Sequence, residues 1–175
     1  MTVKTTLLKS LAWTSLSLST AATYASESSE NAAAYRQKAD FVLAEISSES
    51  PSSANIISAI DGMLSDAKVL VVEFSKIHPQ CRAQLFRMLE LYPQIAEWSA
   101  PEVRKYIEAG NLLPKAEGCY PARDIVAHPA IVRSLVRAGV PANKKARLTW
   151  ELNEALEHLD EIAAEIEAAV SLPSN

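Results

Sequence analysis

Two long stretches of this sequence repeat apolar residues at alternating steps of four and three, and this spacing constrains the fold more than any other feature. In residues 51–77 the repeating positions are Ile56, Ile60, Met63, Ala67, Leu70, Phe74 and Ile77. In residues 142–170 they are Leu148, Leu152, Ala155, Leu159, Ile162, Ile166 and Ala169. Steps of four and three place side chains on one face of an α-helix. Each stretch is therefore predicted to be a long helix with one buried face.

Prolines divide the region between these two helices into shorter pieces. Residues 81–92 have a helical pattern that Pro93 is expected to break or kink, and residues 121–127 form a predicted two-turn helix. Pro129 is expected to restart the helix in a new direction, because proline has no amide proton to donate to a helical hydrogen bond. A capping box, Ser99-Ala100-Pro101-Glu102, predicts one more short helix between them.

The fold predicted from these patterns is all-α. Residues 28–46 add a first helix, with Tyr35, Ala39, Val42 and Ile46 on one stripe. We expect an antiparallel helical bundle of about four long helix positions, with a broken, disulfide-linked central region. A coiled-coil oligomer is the alternative for the two heptad helices. The apolar residues that flank each repeat favour burial within one chain.

Residues 1–25 have the features of a secretory signal peptide. Their only charges are two lysines, and an apolar, hydroxyl-rich run follows that ends in Thr23-Tyr24-Ala25. This order is typical of a cleaved export signal, and the run is too short to span a membrane. We therefore expect a periplasmic or secreted protein after cleavage, with residues 26–175 as a single helical domain and no transmembrane segment.

The chain contains two cysteines, Cys81 and Cys119. In an exported protein two cysteines indicate one disulfide. An alternative is a tetrahedral metal site in which both thiolates act with His78 and His128. Neither half of that set has a recognised ligand spacing, so the disulfide is the favoured interpretation.

Charge is distributed unevenly along the chain. The predicted mature protein has 15 basic and 21 acidic side chains, a net charge of −6, which does not favour nucleic acid as a partner. Residues 115–147 hold seven basic and two acidic side chains, whereas residues 151–167 hold seven acidic and no basic ones. Arg133 and Arg137 lie one helical turn apart and could hold a carboxylate or a phosphate. These features indicate another periplasmic protein or a small anionic ligand as the partner of a monomer or small oligomer.

Three weaker patterns offer other chemistry. Asp124 and His128 lie one turn apart, where the carboxylate could orient the imidazole. Glu154, His158, Glu161 and Glu165 share one side of the last helix, which is typical of a solvated acidic face and also of a metal site. Non-covalent haem bound by Met63, Met88 or the histidines is a further alternative to core packing for those methionines. No cofactor is predicted, because no nucleotide-binding, nucleophile-elbow or zinc-protease motif occurs in the sequence.

The sequence thus predicts an exported helical protein that acts as a binding or interaction module. Its candidate contact surface comprises His78, Asp124, His128, Arg133 and Arg137, because irregular segments on a rigid scaffold often carry function. The alternatives are a periplasmic helical bundle that binds a metal or cofactor and, third, a small enzyme.

Overall fold

A computed structural model describes residues 17–95, 97–108, 118–137 and 139–171 of the chain. Within these ranges the protein consists of helices and has no strand, so the predicted all-α fold is confirmed. The helices are α1 (Ser17–Ser47), α2 (Ser53–Ile77), α3 (Arg82–Ile95), α4 (Ala100–Glu108), α5 (Tyr120–Val136) and α6 (Lys145–Ser171). Short 3-10 turns, Pro79–Cys81 and Ala142–Lys144, precede α3 and α6. None of the described helices has the length and hydrophobicity that a membrane crossing requires.

The apolar stripes of α1, α2 and α6 meet in one core. The α1 stripe is fully buried, as are nearly all the repeating positions of α2 and α6. The α2 helix begins after Ser52, whose hydroxyl accepts a hydrogen bond from the Asn55 amide and so satisfies one free amide of the first turn. Burial of these faces is the main stabilising contribution expected of helices this long.

Helix pairing brings α5 against α6. The α1 helix packs on α2 and α6, while α5 packs on α6 and α2, and α4 covers part of α5. Ion pairs join α1 to its neighbours, through Arg36 with Asp160 on α6 and Lys38 with Asp66 on α2.

The antiparallel order of the four long helices stays a prediction. The first 16 residues of the predicted signal peptide lie outside the described residues.

The predicted disulfide is confirmed. Cys81 and Cys119 are bonded to each other, with their Cα atoms 5.5 Å apart, and both residues are buried. Cys81 closes the 3-10 turn before α3, and Cys119 directly precedes α5. The bond therefore fixes the start of α5 against the end of the α2–α3 connection.

The predicted capping box is also present. The Glu102 carboxylate accepts hydrogen bonds from both the backbone amide and the hydroxyl of Ser99, each 2.7 Å long. These two bonds lower the pKa of Glu102, because they favour its charged form. The α4 helix accordingly begins at Ala100.

Neither Pro93 nor Pro129 ends its helix. The α3 helix continues through Pro93, and α5 continues through Pro129. A proline at 129 cannot donate to the carbonyl of Ile125, one turn earlier. The buried hydroxyl of Tyr35, on α1, donates to that carbonyl at 2.8 Å. A tertiary hydrogen bond thus replaces the missing helical one, and α5 remains a single helix.

This replacement predicts an energetic coupling between Tyr35 and Pro129. Tyr35→Phe should lower the free energy of unfolding by about 1–3 kcal/mol, because it leaves a buried carbonyl without a donor. In a Pro129→Ala background the alanine amide can bond to Ile125, so the same change should cost less. Urea unfolding of the four proteins in a double-mutant cycle measures the difference. Equal losses in both backgrounds would contradict the coupling.

Candidate metal centre

Three side chains that can bind metal converge between α5 and α6. Asp124 and His128 lie one turn apart on α5, and His158 faces them from α6. One ligand atom from each lies within 4.8 Å of the other two. Ligand atoms about 2.0–2.2 Å from one zinc ion are at most about 4.4 Å apart. Small side-chain adjustments would therefore let all three bind the same ion.

The two imidazoles are oriented alike. Their rings are nearly parallel, with centroids 6.1 Å apart and an angle of 17° between the ring planes. His158 directs Nε2 towards Asp124, at 3.5 Å from Oδ2. The α5–α6 packing thus places two nitrogen ligands and one oxygen ligand side by side.

Glu151 on α6 supports His128 from behind. Its side chain is fully buried, and Oε2 lies 2.8 Å from Nδ1 of His128. An ionised carboxylate can only accept, so Nδ1 donates this bond and Nε2 is the nitrogen left to bind a metal. Histidines that bind metals usually donate their other ring proton to a carboxylate or carbonyl in this way. Arg147, with Nε 3.5 Å from Oε1, balances the charge of this carboxylate.

Arg123 holds Asp124 in place. Its guanidinium donates to both carboxylate oxygens, at 2.7 and 2.9 Å, and packs over the ring of Tyr120. Each carboxylate oxygen accepts more than one bond, so the arginine orients Asp124 and leaves lone pairs for a metal. The carboxylate is nearly buried, which limits its contact with water.

His158 has a comparable carboxylate beside its second nitrogen. Nδ1 of His158 is shielded from solvent and makes no hydrogen bond among the described residues. Oε2 of Glu161 lies 3.6 Å away, beyond the length of a hydrogen bond. A small rotation of this half-exposed glutamate would give His158 the same support that Glu151 gives His128.

The alternative four-ligand set proposed for the cysteines is not brought together. Both sulfur atoms are in the disulfide, so neither is available as a thiolate. His78 ends α2, where it pairs with Glu165 and stacks on Phe74. Of that set, His128 alone belongs to the cluster with Asp124 and His158.

The two arginines of the predicted contact surface lie in a separate ionic network. Arg133 donates to Asp61 at 2.8 Å, and Arg137 donates to the backbone oxygen of Glu97 at 2.9 Å. Tyr92 also donates to Asp61, and its pKa is raised by burial and by that neighbouring charge. These contacts join α5 to α2 and to the segment after α3. A surface for partners that includes both arginines stays a prediction.

Glu151 was not identified from the sequence, and His158 was named only within a row of acidic residues on the last helix. Asp124 and His128 were paired because the carboxylate could orient the imidazole, but the carboxylate that bonds to His128 is that of Glu151. His158 was assigned to a solvated acidic face, although it turns towards Asp124. The position of Glu151, three residues after Leu148 and four before Ala155 on the apolar side of α6, was the signal that could have revealed it.

Comparisons with protein-family models, with curated proteins and with solved structures find no match to this chain. The functional argument therefore depends on the geometry of the cluster formed by Asp124, His128 and His158.

Proposed function

We propose that this chain is an exported binding protein that holds one divalent transition-metal ion between α5 and α6. The observation that carries the proposal is the convergence of Asp124, His128 and His158, with one ligand atom of each within 4.8 Å of the others. Export is supported by the signal-like residues 1–25 and by the disulfide, which is typical of oxidising compartments.

The donor atoms indicate the class of metal. Two imidazole nitrogens and one carboxylate oxygen suit zinc, nickel, copper and cobalt, whereas calcium and magnesium prefer sites made of oxygen alone. Both cysteine sulfur atoms are in the disulfide, so no thiolate adds a preference for softer ions. We therefore expect zinc and nickel to bind and calcium not to compete.

The number of ligands favours reversible binding over a structural role. Structural zinc sites usually have four protein ligands, while three leave a coordination position open. The helices that supply these ligands already pack through apolar residues such as Ile125 and Leu159. Folding of the chain is thus expected without the ion.

Calorimetric titration tests the proposal. The protein, without a polyhistidine tag and stripped with a chelator, should bind one zinc or nickel ion per chain in a saturable manner. Calcium, as the matched control, should give no heat of binding at the same concentrations. The proposal is wrong if neither zinc nor nickel saturates a single site.

Glu151→Gln is expected to lower the affinity for zinc by about 10–100-fold, the usual effect of losing a residue that supports a metal ligand. The glutamine oxygen can still accept from Nδ1 of His128, so the fold should be retained while the negative charge is lost. Glu157→Gln removes the same charge from an exposed position of α6 and serves as the control. If both variants weakened binding equally, the effect would be general electrostatics and not support of His128. Zinc competition with a chromophoric chelator measures both affinities.

A further inference from the structure

The side of α6 that faces α5 carries a row of glutamates around His158. The residues that follow one another along this side at steps of three and four are Glu151, Glu154, His158, Glu161 and Glu165. Glu151 contacts His128, which shows that this side meets α5. An ion bound between the two helices is therefore next to several negative charges.

Three of the four glutamates in this row already have a neighbour to pair with. Glu151 bonds to an imidazole of the cluster, and Glu165 pairs with a histidine at the end of α2. Glu161 lies 3.6 Å from Nδ1 of His158, whereas Nε2 is the nitrogen directed towards the rest of the cluster. Within the part of the chain that the structure describes, the Glu154 side chain makes no hydrogen bond or ion pair. Glu154 is thus the carboxylate of the row that is free to bind a metal.

Glu154 also lies at the right level along α6. His128 contacts this helix at Glu151. Asp124 contacts it at His158, seven residues later, which is roughly 10 Å further along the helix axis. An ion bound by all three ligands of the cluster would lie between these two contacts. Glu154 is between them on the same side of the helix and is partly buried.

We infer that Glu154 is the fourth protein ligand of the metal-loaded site. The inference rests on the proposed metal binding. In the metal-free chain the Glu154 carboxylate lies outside the group of three converging ligands, so it has to turn towards the ion, and it breaks no contact when it does so. The two carboxylates nearest the ion already pair with arginines. Glu154 adds a negative charge that no cation of the described residues neutralises.

A fourth protein ligand favours binding over catalysis at this site. Four ligands complete the tetrahedral coordination of zinc and leave no position for the water that a hydrolytic zinc enzyme activates. Glu154 is held by no other group, so it is the ligand that can leave most readily and reopen the site. Such an arrangement suits a protein that takes up and releases its ion.

Zinc affinity is the first test. Glu154→Gln should lower the affinity of the untagged protein by at least about 10-fold, the lower end of the loss for a residue that only supports a ligand. Glu157→Gln is the matched control, because it removes the same charge from an exposed position of the same helix. It should bind zinc like the wild type. Competition with a chromophoric chelator measures both affinities.

Azide binding to the cobalt-loaded protein distinguishes a metal ligand from a nearby charge. Cobalt(II) binds the same nitrogen and oxygen ligands as zinc, and its visible absorption changes when a ligand is added or exchanged. Azide should leave the spectrum of the wild type unchanged, because no coordination position is open. It should change the spectrum of Glu154→Gln and not that of Glu157→Gln.

The outcomes separate the inference from the proposed function. Unchanged zinc affinity in Glu154→Gln, or azide binding to the wild-type cobalt protein, would overturn the inference and leave the proposed function standing. An equal loss of zinc affinity in Glu157→Gln would show that the row acts through its charge alone, and would also overturn the inference. Absence of zinc and cobalt binding in the wild type would overturn both.

Discussion

Loss of the Cys81–Cys119 disulfide is expected to lower the free energy of unfolding by about 4 kcal/mol. The bond joins residues 38 apart in sequence, and on the chain-entropy model closing a loop of this length restricts the unfolded chain by about that amount. The stability of a domain is only about 5–15 kcal/mol. A chain without the bond should thus be marginally folded. Urea unfolding of the double variant Cys81→Ala/Cys119→Ala against the oxidised protein measures the loss.

The reduced wild-type protein distinguishes the effect of the cross-link on stability from the effect of packing the two sulfur atoms. Both cysteines are buried, so the alanine variant also leaves a small cavity. Reduction breaks the bond and keeps both sulfur atoms in the protein as thiols. A loss in both samples supports the cross-link as the stabilising feature. A loss in the alanine variant alone would show that packing of the sulfur atoms accounts for it.

Alanine at either histidine of the cluster is expected to reduce zinc affinity by more than about 100-fold, a larger effect than that of supporting residues. His158→Ala is the cleaner of the two variants. Asp124 keeps its hydrogen bonds from Arg123 when His158 is removed, whereas His128→Ala also removes the imidazole that bonds to Oε2 of the buried Glu151. The two variants should therefore share the loss of binding and differ in stability, with His128→Ala unfolding at the lower urea concentration.

His78→Ala is the matched control, since the chain has three histidines and this one lies outside the cluster. Its zinc affinity should equal that of the wild-type protein. Thermal unfolding gives an independent measurement, because a ligand at 100 times its dissociation constant stabilises the folded state by about 2.7 kcal/mol. Zinc should raise the melting temperature of the wild type and of His78→Ala, and not that of His158→Ala. A zinc effect that depended on His78 would contradict the assigned site.

The parts of the fold that were predictable depend on local pattern. The stripes of α2 and α6 repeat over many turns, and such long periodic segments fix both the helix and its buried face. The capping box at Ser99 followed from residue type and spacing, and the disulfide followed from the presence of two cysteines in a chain expected to be exported. None of these predictions required knowing which other helix packs against the segment.

The prolines show where local pattern was insufficient. Pro129 was expected to redirect the chain, since its local effect is to remove one helical hydrogen bond. The outcome depended on Tyr35, a residue on another helix that supplies the missing donor. Pro93 lies near the end of α3, and the helix continues only two residues beyond it. The local effect of a proline on its own segment cannot predict a hydrogen bond that a residue of another helix supplies.

The site was partly predictable for a related reason. The pair Asp124 and His128 was visible, because both residues lie on one helix at a spacing of one turn. Its partners Glu151 and His158 come from α6, and their contact with α5 depends on how far one helix slides along the other. Sequence periodicity gives the buried face of each helix and not this relative position. The acidic surroundings of His158 also favoured a solvated face.

The hydrogen bond from Tyr35 to the Ile125 carbonyl has a consequence for how this protein can change over evolutionary time. Position 129 can lose its proline only by restoring an amide that competes for the same carbonyl, which removes the need for a hydroxyl at position 35. If the hydroxyl at position 35 is lost first, the carbonyl of Ile125, next to Asp124, has no donor while the proline is still present. Among related sequences, the two positions should therefore covary, with phenylalanine at 35 confined to chains that lack proline at 129.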